Sequence, residues 1–435
     1  MNANMQISPF KVDVTPRIGD PICGGLMEPC TSIETSLWLR GIVLHANRTR
    51  HVVAAIDYCY LIGLSQRRLE EALARGAGVD RSQVCVQSNH THAGPLIAEE
   101  PHVLVKRLFP DIDLHPEDYF QQVLKSAEES VKQACESPTE VGGVGFAEHA
   151  VEQFASTRRV LDENDHASIR WSVTVDQKIR NAPVGYIDPI LTQIVFYDTS
   201  KKPITCLNYY ACHPQVGTID GVVHGDSIAV ALKLFEQTHP DIMPIYFDGC
   251  GGDVTAGKYT DVNASRRNLH VFGVRLFDAM HEAILKARPA PIESVTWHDD
   301  GFDCPMAQNQ FTEDELLEMI NKPDTIDNRK FLYSWNLLRL REYPESYPFR
   351  STLLRLNDIG ILMLPAELSV EYQLWAKAQY SGRLAVAAYG DCMLNYVATD
   401  IAFDQGGYEV QPIWTEVEKG IEQHIKNHLR PILTG

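Results

Sequence analysis

Two histidines one residue apart, in Ser88-Asn89-His90-Thr91-His92-Ala93-Gly94-Pro95, supply nitrogen donors at a spacing that suits a metal site. The run before them, Gln83-Val84-Cys85-Val86-Gln87, reads as a short core strand, and Ala93-Gly94-Pro95 as the turn that stops it. Side chains two apart on an extended segment point the same way, so His90 and His92 are expected to leave one face, one to ligate and one to handle substrate. A second run, Ile204 to Tyr210, also apolar and β-rich, leads to His213-Pro214, so two strand exits each deliver a histidine. Glu367 follows another strand-like run at Pro365-Ala366-Glu367, where a carboxylate can bind a metal or serve the dipole of the next helix.

Other chemistry-bearing stretches are less specific. Asp248-Gly249-Cys250-Gly251-Gly252-Asp253-Val254-Thr255 is a glycine-rich turn at a strand exit; it lacks the Lys-Ser/Thr of a phosphate loop, so it reads as one wall of the site, with Gly251 and Gly252 allowing close backbone approach. Asp253 and Thr255 can act there or cap the following helix. Thr157-Arg158-Arg159 reads as a solvated turn.

The elements that would position these groups alternate strand and helix. Strands are expected at Ile7 to Val14, Leu37 to Ala46 and His51 to Leu61, then a helix Ser65 to Arg75 capped by Ser65, then the strand before His90. This is a β-α-β unit with its histidines at the C-terminal edge, where α/β folds place their sites. A loop or lid is expected over Glu99 to Asp113, a helix over His115 to Ser137, and strands over Val141 to Phe146, Ser168 to Val175, Asp188 to Asp198 and Pro203 to Cys212. A helix Asp226 to Gln237 and a strand Pro244 to Phe247 complete a second unit, followed by a helix Asn263 to Arg288 capped by Asn263. Beyond a strand Ser294 to Phe302, Thr312 to Glu342 reads as a helical insertion, within 303–349 as a cap; a hairpin Arg350 to Leu364, a helix Ser369 to Tyr380, a strand Arg383 to Ala388 and a closing helix Thr415 to Leu429 follow. The expected fold class is α/β, with mixed central sheets built from β-α-β units, flanking helices and that insertion, as one domain over 1–435.

Composition narrows the partners. With 435 residues, 44% of them hydrophobic, the chain can bury a large core, and a net charge of −18 argues against nucleic acid or an anionic membrane as partner. No run is long and apolar enough to span a membrane, and the start Met1 to Gln6 has no signal-peptide pattern. The ten cysteines fall mostly in apolar runs without Cys-x-x-Cys pairs, which suggests buried free thiols and a cytoplasmic location. Homo-oligomerisation is left open.

Five ordered motifs, spanning roughly residues 88 to 409, are similar to those of the neutral/alkaline (non-lysosomal) ceramidases and their short bacterial relatives. Ser88 to Pro95 resembles that family's His-Thr-His-Ser-Gly-Pro, Asn208 to Pro214 its Asn-Trp-Phe-Ala-x-His-Pro, and Gly252 to Thr255 its Gly-Asp-Val-Ser. Leu364 to Glu367 resembles its Pro-Gly-Glu or Pro-Ala-Glu, and Asn395 to Thr399 with Tyr408-Glu409 its Tyr-Val-Thr-Thr and Tyr-Glu stretches. The resemblance implies one zinc ion per chain held by His90, His213, Glu367 and Tyr396, and a zinc-bound water that attacks an amide carbonyl. It implies that His92 bonds the water or the oxyanion, that Arg158 and Tyr408 line the substrate with Gly251 and Gly252, and that Asp253 and Thr255 belong to the catalytic stretch.

Departures matter too. Thr255 stands where the family has a serine sometimes assigned as nucleophile, Thr157 replaces an asparagine before Arg158, and Met393 an aromatic. The sequence has no match to the C-terminal β-rich domain of the long ceramidases, so ceramide itself is not implied. The expected function is a zinc-dependent amide hydrolase acting on a small-molecule or lipid N-acyl compound; the alternatives are a zinc esterase and a metal-stabilised binding protein without turnover.

Overall fold

The computed structural model describes residues 5–308, 310–322 and 327–435. Its larger sheet runs, in spatial order, Met243–Asp248, Pro203–Tyr210, Ile190–Asp198, Thr139–Ala150, Gln6–Asp13, Trp38–Ala46, Thr49–Ile56 and Val84–Ser88. Among the described residues the halves of this sheet pair through Gln6 opposite Glu140 and Ile7 opposite Thr139, with Val141 N donating to Met5 O at 2.9 Å beside them. The sheet bends so far that its edge strands, Met243–Asp248 and Val84–Ser88, touch each other. Strands at each edge are parallel to their neighbours, Val84–Ser88 to Thr49–Ile56 and Met243–Asp248 to Pro203–Tyr210, and each pair is joined by a helix, as in the expected β-α-β units.

A four-stranded sheet, Val295–Pro305, Ser346–Leu356, Ile359–Met363 and Arg383–Ala387, shares a core with the curved one. That core mixes Ile42, Leu44, Val53, Phe196, Leu207 and Phe247 of the first sheet with Leu354, Ile361, Met363 and Ala385 of the second. Alternate residues such as Val43 and Val52 face outward onto the helices Leu64–Ala77 and Glu117–Ala134, the two-residue period of strands buried on both faces. Helices Asp226–Thr238 and Ser265–Lys286 cover the other half of the large sheet, and Val370–Gln379 and Ile421–Thr434 cover the small one. The architecture is the α/β class read from the sequence.

Several boundaries differ from the sequence reading. Residues expected to form a lid after Ala98 form the helix Glu99–Leu108 instead. Glu99 and Glu100 lie in its first turn and Lys106 and Arg107 in its last, so the dipole is complemented at both ends; Pro101 falls in the first turn, where its missing N–H is not needed. The helix Leu64–Ala77 is capped by Gly63, not Ser65: Glu100 Oε2 accepts from Leu64 N at 2.9 Å, and Ser65 Oγ accepts from Glu99 N. The helix Ser265–Lys286 starts after Ala264, with no bond from an Asn263 side chain. Of the strand expected over Ser168 to Val175 only Ala167–Ile169 pairs, because Arg170 turns inward and its guanidinium donates to the carbonyls of Thr157, Ile179, Ala182 and Pro183. The last helix runs Ile421–Thr434, six residues later than the expected start at Thr415, whose hydroxyl instead donates to Tyr396 O at 2.7 Å.

The expected insertion is helical, Glu313–Asn321 with Thr312 and Glu315 forming a capping box, then Asp327–Glu342; its residues 309 and 323–326 lie outside the described ones. Among the described residues no helix is long and apolar enough to cross a membrane. All ten cysteines are free thiols, nine buried and Cys135 half-buried.

Candidate active site

Because the curved sheet brings its edges together, the exits of Val84–Ser88 and Pro203–Tyr210 meet, although the strands are far apart in sheet order. The exit of Arg383–Ala387 fits between them: Ser88 N donates to Tyr389 O at 2.8 Å and Ala388 N to Asp248 O at 2.9 Å. Glu367 and Tyr396 come from a two-residue parallel bridge in which they are direct partners. His90, Ala366, Tyr389 and Asn395 all have left-handed backbone, φ between 53° and 63°. Non-glycine residues rarely adopt it, and here four of them crowd around one site. His90 therefore does not continue an extended strand, and side-chain alternation along a strand does not describe how His90 and His92 converge.

Each of the two buried imidazoles is oriented by a carbonyl. His90 Nδ1 donates to Cys59 O at 3.1 Å and His213 Nδ1 to Gly251 O at 2.7 Å. A carbonyl only accepts, so the proton of each neutral ring is on Nδ1 and Nε2 is left with its lone pair. Burial holds both rings neutral, far below the usual histidine range; for His90 the Glu367 charge opposes this, and for His213 Arg158 adds to it. His90 is also clamped between the Tyr60 and Tyr389 rings, at centroid distances of 4.8 and 4.6 Å.

The two Nε2 atoms face Glu367 Oε1, at 2.7 Å from His213 and 3.5 Å from His90. Tyr60 donates its hydroxyl to the other oxygen, Oε2. Tyr396 Oη lies 3.2 Å from His213 Nε2 and accepts from Arg158 Nη1 at 2.9 Å. His92 Nε2 lies 3.1 Å from His90 Nε2. Glu367 Oε1 has no hydrogen-bond donor although it is fully buried. An unpartnered carboxylate oxygen and two imidazole lone pairs facing one another are what a divalent cation satisfies, and two histidines with oxygen donors are a set that zinc accepts. His90, His92 and His213 form a group with the spacing to hold a metal ion.

Arg158 is buried, not a solvated turn. Burial opposes its charge, but Tyr396, Glu409 and Glu367 more than offset that and hold it protonated. Burial pushes the Tyr396 phenol far up and Arg158 pulls it back, so the arginine is the group that favours a phenolate there. Tyr408 packs edge-on to Tyr396 with Arg158 beside both rings.

His92 is half-buried on the cleft wall. Ser172 Oγ donates to Gln215 Oε1 at 3.0 Å, which turns the Gln215 amide so that its NH2 approaches His92 Nδ1 at 3.3 Å. His92 thus carries its proton on Nε2, the atom that faces the site.

The remaining expected residues are placed one step back. Gly251 supplies the carbonyl to His213, and a Cβ on Gly252 would lie 2.8 Å from Glu367 O and 2.9 Å from Leu368 O, so backbone approach explains that glycine. Asp253 Oδ1 accepts from Val370 N at 2.9 Å, capping the helix that follows Glu367 and not the one after its own loop. Burial, then the neighbouring Glu371, raises the Asp253 carboxyl well above its usual range. Thr255 pairs with Ser156 in the ribbon that carries Arg158, and its hydroxyl lies 3.3 Å from Ser172 Oγ. Neither Asp253 nor Thr255 lines the cleft.

Sequence reasoning assigned no role to Tyr60, Tyr389, Gln215 or Asn395, whose Oδ1 lies 3.4 Å from the Tyr60 hydroxyl. Tyr60 and Tyr389 lie in apolar runs that read as core, and only Asn395, with its left-handed backbone, belongs to a residue type that hints at a special position. The cleft above the site has a volume of about 380 Å³, with Leu96, Phe331, Leu332, Trp335 and Trp414 as apolar walls and Asp220 and Arg329 as charged ones.

A neutral ceramidase from Pseudomonas aeruginosa superimposes with a TM-score of 0.74 at 14% identity, over 100% of this chain and 74% of that one. The fold is that of the neutral ceramidases. A second structure, of a ceramidase complexed with C2, matches with a TM-score of 0.72 at 13% identity, over 100% of this chain and 75% of that one. No family model matches the sequence, and no curated protein does.

Proposed function

We propose that the chain is a zinc-dependent hydrolase that cleaves the amide bond of an N-acyl compound, a ceramide-like lipid amide or a smaller relative. The observation that carries this reading is Glu367 Oε1, buried and without a donor, facing the lone pairs of His90 and His213. His90, His213, Glu367 and Tyr396 would hold the ion, which when bound lowers the pKa of water to about 7 and polarises a carbonyl oxygen.

The chain's own residues supply the rest. His92 presents Nε2–H toward the site and donates to the oxyanion of the tetrahedral intermediate; Gln215 holds the tautomer that allows it. Arg158 orients the Tyr396 oxygen and stabilises negative charge on it. The apolar walls bind an acyl chain and exclude water, and they suit a lipid amide better than a polar peptide. The shared fold of two ceramidase structures supports the same class of bond.

The test is metal analysis of protein purified without added metal or chelator, beside His213→Ala, followed by paired amide and ester substrates. Near one zinc per chain, lost in the variant, with chelator-sensitive amide cleavage, is the expected result. A folded chain that neither carries nor takes up zinc refutes it, and cleavage of esters alone makes the protein an esterase.

A further inference from the structure

Beside the four proposed ligands the cleft wall holds two thiols that the amide reaction does not use, Cys23 and Cys59, next to the His92 that it does use. Cys23 and Cys59 are 1% and 2% exposed, and their Sγ atoms lie 3.2 Å apart. Cys23 Sγ is 3.9 Å from His92 Nδ1, and one donor atom from each of the three residues lies within 4.8 Å of the others. The frame is fixed: Cys23 N donates to Gly94 O at 2.9 Å and Cys59 N to Pro95 O at 2.7 Å, so both cysteines are pinned to the turn that follows His92. Cys23 sits at φ +49°, an uncommon conformation for a cysteine, which aims its sulfur at its partner.

We infer that Cys23, Cys59 and His92 form a second metal site, specific for a thiophilic divalent cation such as Cd²⁺ or excess Zn²⁺. Zn–S bonds of about 2.3 Å and Zn–N bonds of about 2.0 Å in tetrahedral geometry set S···S near 3.8 Å and S···N near 3.5 Å. The observed 3.2 and 3.9 Å differ from those by about half an ångström each, within reach of χ1 adjustments. All three residues line the cleft, so the fourth position opens to water or a ligand atom. Binding forms two M–S bonds and one M–N bond and releases two thiol protons to solvent, so the charge of the site does not change and no electron is transferred. His92 Nδ1 then gives up its bond from Gln215, and the ion stands in the mouth of the cleft. The consequence, inhibition of the hydrolase, rests on the function proposed above; the binding itself does not.

The experiment is a Cd²⁺ titration of the zinc-loaded, reduced protein, read by equilibrium dialysis and by the ultraviolet thiolate-to-cadmium charge-transfer band. One additional equivalent that brings in the band is expected for the wild type and for His213→Ala, and neither for Cys23→Ser/Cys59→Ser. Cys30→Ser, a buried thiol outside the cluster, keeps the band. X-ray absorption on the wild-type cadmium form gives a reading that needs no variant: two sulfur donors and at least one nitrogen. No band in the wild type, a band that survives the double substitution, or a different sulfur count overturns the inference. So does a mass two hydrogens low in protein kept without reductant together with no binding after reduction, which would make the pair a disulfide and not a metal site. A wild type that shows the cadmium band but binds no zinc at the His213 site would refute the proposed hydrolase alone.

Discussion

Glu367→Gln separates the demands of metal binding from those of folding, because the substitution keeps shape and changes only one atom and the charge. In the metal-free protein Glu367 Oε1 is fully buried, 2.7 Å from the bare Nε2 of His213, with no donor. An unsatisfied buried acceptor is unfavourable by about 1–3 kcal/mol, and more when charged. Placing the glutamine NH2 at that atom gives a donor to His213 Nε2, while the amide oxygen still accepts from Tyr60. The metal-free variant is therefore expected to be more stable than the metal-free wild type by about 1–3 kcal/mol. With zinc the order reverses. A ligand that binds only the folded state at 100 times its Kd stabilises the wild type by about 2.7 kcal/mol, whereas the variant, with a neutral amide against the ion, gains little. Urea unfolding in chelator and in excess zinc, on both proteins, measures the four values. A variant less stable than wild type in chelator, or stabilised equally by zinc, would show that no cation belongs between these residues.

Other substitutions test single links. His92→Ala should retain zinc and lower kcat by about 10²–10³, the range for loss of one oxyanion donor; loss of zinc would instead make His92 a ligand. Gly252→Ala presses a methyl group on the carbonyls of Glu367 and Leu368, so zinc occupancy should fall and stability drop by about 1–3 kcal/mol, measured by dialysis and urea unfolding. His102 is buried against Phe331 with both ring nitrogens unpartnered, and burial holds its pKa well below 6.5. The unfolded chain binds that proton as pH falls through 6.5 while the folded chain does not, so stability is present above that value and lost below it. Between pH 7.5 and 5.5 the wild type should lose about 1.4 kcal/mol more than His102→Phe; equal losses would refute the burial argument.

Local chemistry made much of the molecule legible. Alternating strand faces, Gly and Pro at turns and the order strand-helix-strand depend on neighbours in the chain, and they delimited most strands of both sheets and the helices between them. The residue types at three strand exits, His90, His213 and Glu367, stood out because charged and metal-binding side chains after apolar runs have few local uses. Helix starts were less legible: Ser65 and Asn263 looked like caps, but a tertiary contact from Glu100 serves the first helix, and the second starts with no side-chain cap at all.

Only the tertiary structure decided how those exits meet. The closure of the large sheet depends on a short joint at Gln6 and Ile7, and it is this bend that brings the His90 and His213 ends together. Tyr60 on Glu367, Arg158 on Tyr396 and Gln215 on His92 join residues 307, 238 and 123 positions apart, and Tyr389 reaches His90 from the far end of the chain in the same way. A tyrosine in an apolar run has the same local pattern whether its hydroxyl meets a carboxylate or packs in the core, so sequence alone gives both the same reading. The sequence determined which donors the site contains; the curvature of the sheet decided which of them face one another, because direction in space is set by packing between distant segments and not by the spacing of residues along one strand.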